Sequence, residues 1–277
     1  MSLTIAQKRA RFAELHAQPG CFVIPNPWDV GSTRYLASLG FKALATTSAG
    51  AAFAAGLPDG GMTQAPVLAH IASLVAATEL PFNADYEAGY AATLDELHDS
   101  VVRCIATGVA GFSIEDYTGD SRAPFYGAAE AAERIRVARA AIDASGARVL
   151  LTARSETVLR GHPDGLNEAL RRLAAYAEAG ADVLYAPGLR SADEIGQVVR
   201  TAGRLPVNAL ASAPGLTLKQ FEDLGVRRVS VGASLARVAW AGFINAAQDI
   251  ALNGRFDSLA QGAPFPALNK LFSGDPA

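Results

Sequence analysis

The chain has 277 residues, is 50% hydrophobic and 18% charged, and so has a globular composition and the length for a large core. A formal charge of −3 gives no basic field to recruit nucleic acid or an anionic membrane surface. Two cysteines give no disulfide framework and fit reduced thiols in a cytoplasmic protein, and no apolar run approaches membrane-spanning length.

In chain order, the opening "MSLTIAQKRARFAEL" reads as an amphipathic helix and lacks the apolar core of a signal peptide. Short β-rich runs then alternate with longer Ala/Leu/Arg stretches of helical period. Strands are expected at 21–26, 42–48, 81–87, 111–116, 148–154, 181–187, 205–210 and 228–233. Helices are expected between them, among them 131–144 and 168–180, with Gly180 and Gly225 placed as C-caps. Strand–helix units without a composition break predict an α/β fold, a single (β/α)8 TIM barrel over residues 1–277. A doubly wound open sheet is the alternative, but no G-x-G-x-x-G follows an early strand. After the eighth strand, 234–252 reads as a strong helix, followed by a Pro/Gly-interrupted tail. Its Leu235, Val238, Ala239, Trp240, Phe243 and Ile244 exceed what one barrel face buries, which predicts association with another subunit.

In such barrels chemistry gathers at the C-terminal ends of the strands. Reading those ends in order gives Asn26 and Asp29, Ser48, Asp85 and Glu87, Glu115 and Asp116, Arg154 and Glu156, and Asn208. Carboxylates converging near one arginine repel one another unless a cation joins them. A hard divalent ion, Mg²⁺ with Mn²⁺ as a substitute, held through waters and one or two carboxylates, resolves this. Arg154 bracing Glu115 or Glu156 as an internal strut is the bland alternative.

Absences narrow the chemistry. None of Lys8, Lys42, Lys219 and Lys270 ends a strand, which argues against a Schiff base. His16, His70 and His98 fall in helical stretches as surface or packing residues, while His162 lies in a loop beyond the fifth strand. Cys21 opens a strand at the wrong end for a nucleophile and Cys104 lies in a helix. The glycine-rich segment 46–63 suits close approach to an anion and a mobile lid.

Taken in this order, "NPWDVGSTRYLASLGFKALATTSAG", "LPDGG", "NADYEAGY", "GFSIED", "LTAR", "AYAEAGADVLYAPG" and "VRRVSVGASLAR" resemble the isocitrate lyase/phosphoenolpyruvate mutase superfamily. The resemblance implies a Mg²⁺-dependent barrel acting on 2-oxo acids or their enol forms. It also implies a last barrel helix exchanged between subunits of a dimer of dimers. By motif, Asp85 resembles the metal carboxylate, with Glu87 and Glu115 reaching the ion directly or through water. Ser48 with the Ala49 and Gly50 backbone resembles the cradle for the substrate's carboxylate. Arg154 resembles the cation on the reacting oxygens, and Asp59 the loop aspartate near the site. The lyases follow their E-D with a lysine-rich segment of the type "KKCGH", whose cysteine is absent from "EDYTGDSRAPFYG", 115–127. The lysine and Asn-Ser pair of the mutases are absent there too.

The expected function is a carbon–carbon lyase or decarboxylase on a small 2-oxo (di)carboxylic acid. Arg154, Asp59 and Glu115 are the catalytic candidates, and Ser48, Ala49, Gly50, Asp85, Arg154 and Asn208 the substrate-binding ones. A phosphonopyruvate-type mutase or hydrolase, and a 2-oxo acid binding protein without turnover, are the alternatives.

Overall fold

A computed structural model describes residues 2–212 and 214–273. The strands are β1 (Phe22–Ile24), β2 (Leu44–Ala45), β3 (Phe82–Asp85), β4 (Gly111–Glu115), β5 (Leu150–Arg154), β6 (Val183–Tyr185), β7 (Val207–Leu210) and β8 (Arg228–Ser230). The helices are α1 (Ile5–Ala17), α2 (Val30–Ser38), α3 (Ser48–Ala54), α4 (Gln64–Ala76), α5 (Leu94–Ala106) and α6 (Ala128–Ser145). After these come α7 (Gly165–Glu178), α8 (Ala192–Ala202), α9 (Leu218–Asp223), α10 (Ser234–Asn253) and α11 (Phe265–Ser273).

The ladders are shorter than the β-rich runs because the ends of those runs leave the sheet to build loops. The run 42–48 shows why. Its ladder stops at Ala45, and Thr47 turns its hydroxyl to accept from the Gly50 N–H, starting α3. A side chain that caps a helix cannot also continue a strand. Gly180 and Gly225 take positive φ, 97° and 86°, where α7 and α9 give way to the next strand.

All strand pairs are parallel, in the order β1-β8-β7-β6-β5-β4-β3-β2. The remaining seam, between β1 and β2, is closed by a bond from the Ala45 N–H to the Pro25 carbonyl at 3.0 Å. Asn26 staples the same seam. Its amide donates to the Thr46 carbonyl at 2.8 Å, while its oxygen accepts from the Val231 and Gly232 N–H groups at 2.9 Å each. The sheet is therefore a (β/α)8 barrel and not an open doubly wound layer. Apolar side chains such as Leu44, Phe82, Phe112, Ile135 and Leu173 fill the space between sheet and helices.

The floor of the barrel is polar. Arg228 is buried there, donating to Asn208 Oδ1 and Thr152 Oγ1 at 2.9 Å each and to His16 Nε2 at 3.2 Å. No carboxylate lies within ion-pair range of Arg228 among the described residues. α1 closes this end, with Phe12 and His16 packed edge to face against one another and His16 against Phe22. A plugged floor leaves the mouth at the other end as the natural place for ligands.

Candidate active site

At the end of β3 the chain cannot continue straight, because Glu87, Gly89 and Tyr90 all take positive φ. For a glutamate and a tyrosine this is an uncommon backbone state, of the kind found where a loop is held for function. Asp85, the last residue of the strand, is fixed from the neighbouring loop. Its Oδ2 accepts from both the backbone N–H and the hydroxyl of Ser48 at 3.0 Å, and its own N–H donates to Thr46 Oγ1 at 2.8 Å.

Arg154 ends β5, in register with Glu115 at the end of β4. Its guanidinium meets Asp85 Oδ1 at 3.2 Å, Glu115 Oε2 at 3.3 Å and Glu156 Oε1 at 2.6 Å. Burial works against this charge, yet Glu156, Glu115 and Asp85 together hold the guanidinium well above its ordinary pKa. Glu156 is fully buried and spends its second oxygen on Arg160 Nε at 3.1 Å. Its backbone N–H donates to Asp116 Oδ1, and Asp116 is in turn tied to Arg172 and Tyr176. The arginine pair at the mouth is thus anchored through Glu156 and Asp116 to α7.

Ser48, Asp59, Glu87, Glu115 and Arg154 line one cavity of about 380 Å³, and Asp85 sits in its wall between Ser48 and Arg154. Tyr90, Tyr117, Tyr126 and Arg160 line it too. Sequence reading gave these four no role, although "NADYEAGY" and the loop after β5 contain two of them. Ala49 and Gly50 lie behind Ser48 in the first turn of α3, and the Gly50 N–H is turned to Thr47. Asn208 is not at the mouth: its side chain is bonded to Arg228 and Ser230 inside the barrel floor. Asp29 caps α2, and Asp116 is the internal strut just described. His162 accepts from the Asp164 N–H and packs edge to face against Phe125. Neither Cys21 nor Cys104 lines the cavity. A wider cleft of about 1020 Å³ opens at the floor among Arg139, Arg148, Arg204 and Arg227. It carries none of the strand-end carboxylates, and barrel chemistry belongs to the other end.

Negative charge is in excess around the cavity, where Asp59, Asp85, Glu87, Glu115 and Glu156 face only Arg154 and Arg160. Glu87 feels this most. Burial, and then Asp85, pushes its carboxyl up to about 7, and no cation lies within ion-pair range of it among the described residues. Burial likewise raises Glu115 well above the ordinary carboxylate range. A set of hard oxygens with surplus negative charge suits a divalent ion of the Mg²⁺ type. Among the described residues no three acidic, histidine or cysteine side chains come together closely enough to enclose one. Asp85 has both oxygens engaged and Glu115 one, so these two and Glu87 do not all face an ion directly in this arrangement. One or two of them with water completing the shell is the arrangement that fits, which is how Mg²⁺ is commonly held.

A family model for phosphoenolpyruvate phosphomutase matches residues 12–251. A solved structure from Burkholderia cenocepacia J2315, designated a lyase/mutase, superposes with a TM-score of 0.93 at 43% identity, over 98% of both chains. A protein of Mycobacterium tuberculosis with no assigned activity is 34% identical over 80% of this chain and 81% of its own length. The 2-methylisocitrate lyase of Bacillus subtilis is 27% identical over 83% of this chain and 77% of its own. The chain belongs to the phosphoenolpyruvate phosphomutase family, within the isocitrate lyase/phosphoenolpyruvate mutase superfamily of lyases and mutases.

Proposed function

We propose that the protein is a Mg²⁺-dependent carbon–carbon lyase or decarboxylase acting on a small 2-oxo (di)carboxylic acid through an enolate. The observation that carries this reading is Arg154, held by Asp85, Glu115 and Glu156 at the wall of a cavity with surplus carboxylates. Bound on Asp85 with Glu87 or Glu115, the metal would supply Lewis-acid polarisation of the substrate's 2-oxo oxygen and carboxylate.

The chain's own residues do the rest. Ser48, with Ala49 and Gly50 behind it, would take the substrate's carboxylate, and Arg154 would face its 2-oxo oxygen. When the bond beyond C3 breaks, its electron pair becomes the C2–C3 double bond and the 2-oxo oxygen takes the negative charge. A fixed guanidinium stabilises that charge without reorganising as it forms. Asp59, exposed at the mouth beside Arg160, would serve a water or a returning proton. Loss of CO₂ from a carboxylate by this route, or of an aldehyde or ketone fragment whose hydroxyl proton passes to a base such as Asp59, needs no nucleophilic thiol, in keeping with a cavity lining that has none.

The test is a turnover screen over 2-oxo acids, including oxaloacetate and phosphonopyruvate, with and without Mg²⁺. Metal-dependent release of a 2-oxo or carboxylate fragment is expected. Rearrangement or hydrolysis of phosphonopyruvate instead would make the protein a mutase or hydrolase of the same platform. Tight binding with no turnover of any 2-oxo acid would make it a binding protein.

A further inference from the structure

We propose that Arg160 is a specificity residue that receives a second anionic group of the substrate, so that the cavity selects a 2-oxo dicarboxylate over a 2-oxo monoacid of equal length. The inference rests on the 2-oxo acid reading above and adds to it which side chain reads the far end of the molecule.

Arg160 lies in the loop after β5, and its guanidinium lines the same cavity as Ser48 and Arg154. Three contacts fix it. Its Nε donates to Glu156 Oε2 at 3.1 Å, its charge lies over the Tyr117 ring at 4.2 Å, and its terminal nitrogen stands 3.7 Å from Asp59 Oδ2. The first contact makes it a companion of Arg154, since both guanidiniums share one fully buried carboxylate, one on each oxygen. Glu156 holds Arg160 through Nε and leaves its terminal nitrogens to Asp59 and the cavity, so a second anionic group has a fixed cation to meet within an otherwise acidic site. The second contact limits how far the side chain can swing, which lowers the entropy lost when an anion is bound.

The third contact is the replaceable one. Asp59 sits in a half-exposed loop, between Leu57 and Gly60–Gly61, and 3.7 Å is a loose ion pair. A partly solvated pair of this kind contributes little. A substrate carboxylate can take the place of Asp59 at low cost and gain the planar, two-pronged fit that an arginine offers. With one anionic group on the Ser48–Arg154 side and the other on Arg160, both guanidiniums are used. A monoacid uses one and leaves the other on Asp59.

The experiment compares oxaloacetate with 2-oxobutyrate, which share a four-carbon chain and differ in the terminal carboxylate. Oxalate serves as a short probe of the Ser48–Arg154 end alone. Affinities, or KM where the acid is consumed, are read with Mg²⁺ on wild type, Arg160→Gln and Arg160→Lys. Wild type is expected to prefer oxaloacetate by about tenfold or more, a ratio worth ~1.4 kcal/mol. Arg160→Gln should lose that preference while oxalate binds as before, and Arg160→Lys should recover part of it. A preference that survives in Arg160→Gln, or its absence in wild type, overturns the assignment. Failure of wild type to bind oxalate and both four-carbon acids would overturn the 2-oxo acid reading, and this inference with it.

Discussion

Arg154 meets three carboxylates at once, and a lysine in its place would keep the charge but not the geometry. One ammonium cannot span Asp85, Glu115 and Glu156 while presenting a flat donor edge to a substrate. Arg154→Lys is therefore expected to lower turnover by about two orders of magnitude, with a smaller effect on melting temperature; a variant that turns over normally but melts early would make Arg154 a strut alone. A second residue-scale expectation concerns acid stability. His16 is buried against Arg228, and burial first, then the charge of Arg228, depresses its pKa from 6.5 to about 3. The neutral ring accepts from Arg228 at Nε2 and so carries its proton on Nδ1, which faces the Phe12 carbonyl at 2.8 Å. Between pH 6.5 and 3 the unfolded chain holds a proton here that the folded chain does not, so stability from this site is complete above pH 6.5 and falls as pH drops. The loss by pH 4 should be on the order of 3 kcal/mol, read as a melting temperature that falls more steeply with acid in wild type than in His16→Gln. Site residues at strand ends were legible from sequence because the barrel fixes their height. Asn208 shows the limit: alternation places it inward, but β7 runs on to Leu210, so it sits below the rim and serves Arg228. Arg160 and Tyr117 lie on loops, where no period says which way a side chain turns.

Among the elements, the loop joining β3 to α5 determines how Glu87 and Tyr90 face the cavity. Gly89 makes it possible, with φ +89° and its Cα so close to α5 that an added Cβ would meet Leu97 Cδ1 at 2.3 Å. Its carbonyl accepts from the buried Ser100 hydroxyl. From the other side, the buried Arg134 of α6 donates to the Ala88 carbonyl at 2.7 Å and the Ala91 carbonyl at 2.9 Å, and lies 4.3 Å from the centre of the Tyr126 ring. Gly89→Ala combines a forbidden backbone state with overpacking, so a cost of ~2 kcal/mol or more is expected. A melting temperature unchanged within a degree would show that the loop can yield. Arg134→Lys should leave the helix intact but release one carbonyl, raising KM for a 2-oxo acid more than it lowers melting temperature. The alternation of strand and helix was legible because a buried parallel sheet demands apolar runs and its helices a 3.6-residue stripe. These loop contacts were not, since a glycine and an arginine read alike whether they pin a loop or merely end a helix.

At the scale of the whole molecule, α10 stands apart from the helices that coat the barrel. It follows β8 and by position should cover the sheet, yet of its residues only Ala236 is buried. Val238 is 70% exposed, Phe243 62% and Leu252 79%, and Trp240 and Ile244 are exposed with them. Phe256 and Phe265 extend the apolar surface into the segment that follows, and apolar clefts lie between α10 and Trp28, Phe53 and Leu57. Large apolar side chains exposed together along one helix and its neighbouring segment mark a surface that another chain covers. A second copy presenting the same helix would bury both patches about a two-fold axis, each α10 crossing to the partner's barrel. The protein is therefore expected to be a dimer or a dimer of dimers at micromolar concentration, by light scattering or sedimentation. Phe243→Glu combined with Val238→Glu places charge in the centre of the contact and should release monomers that retain the barrel's circular dichroism but melt earlier. Wild-type mass equal to one chain at that concentration would defeat the expectation, because α10 and the segment after it would then have to stand uncovered in water.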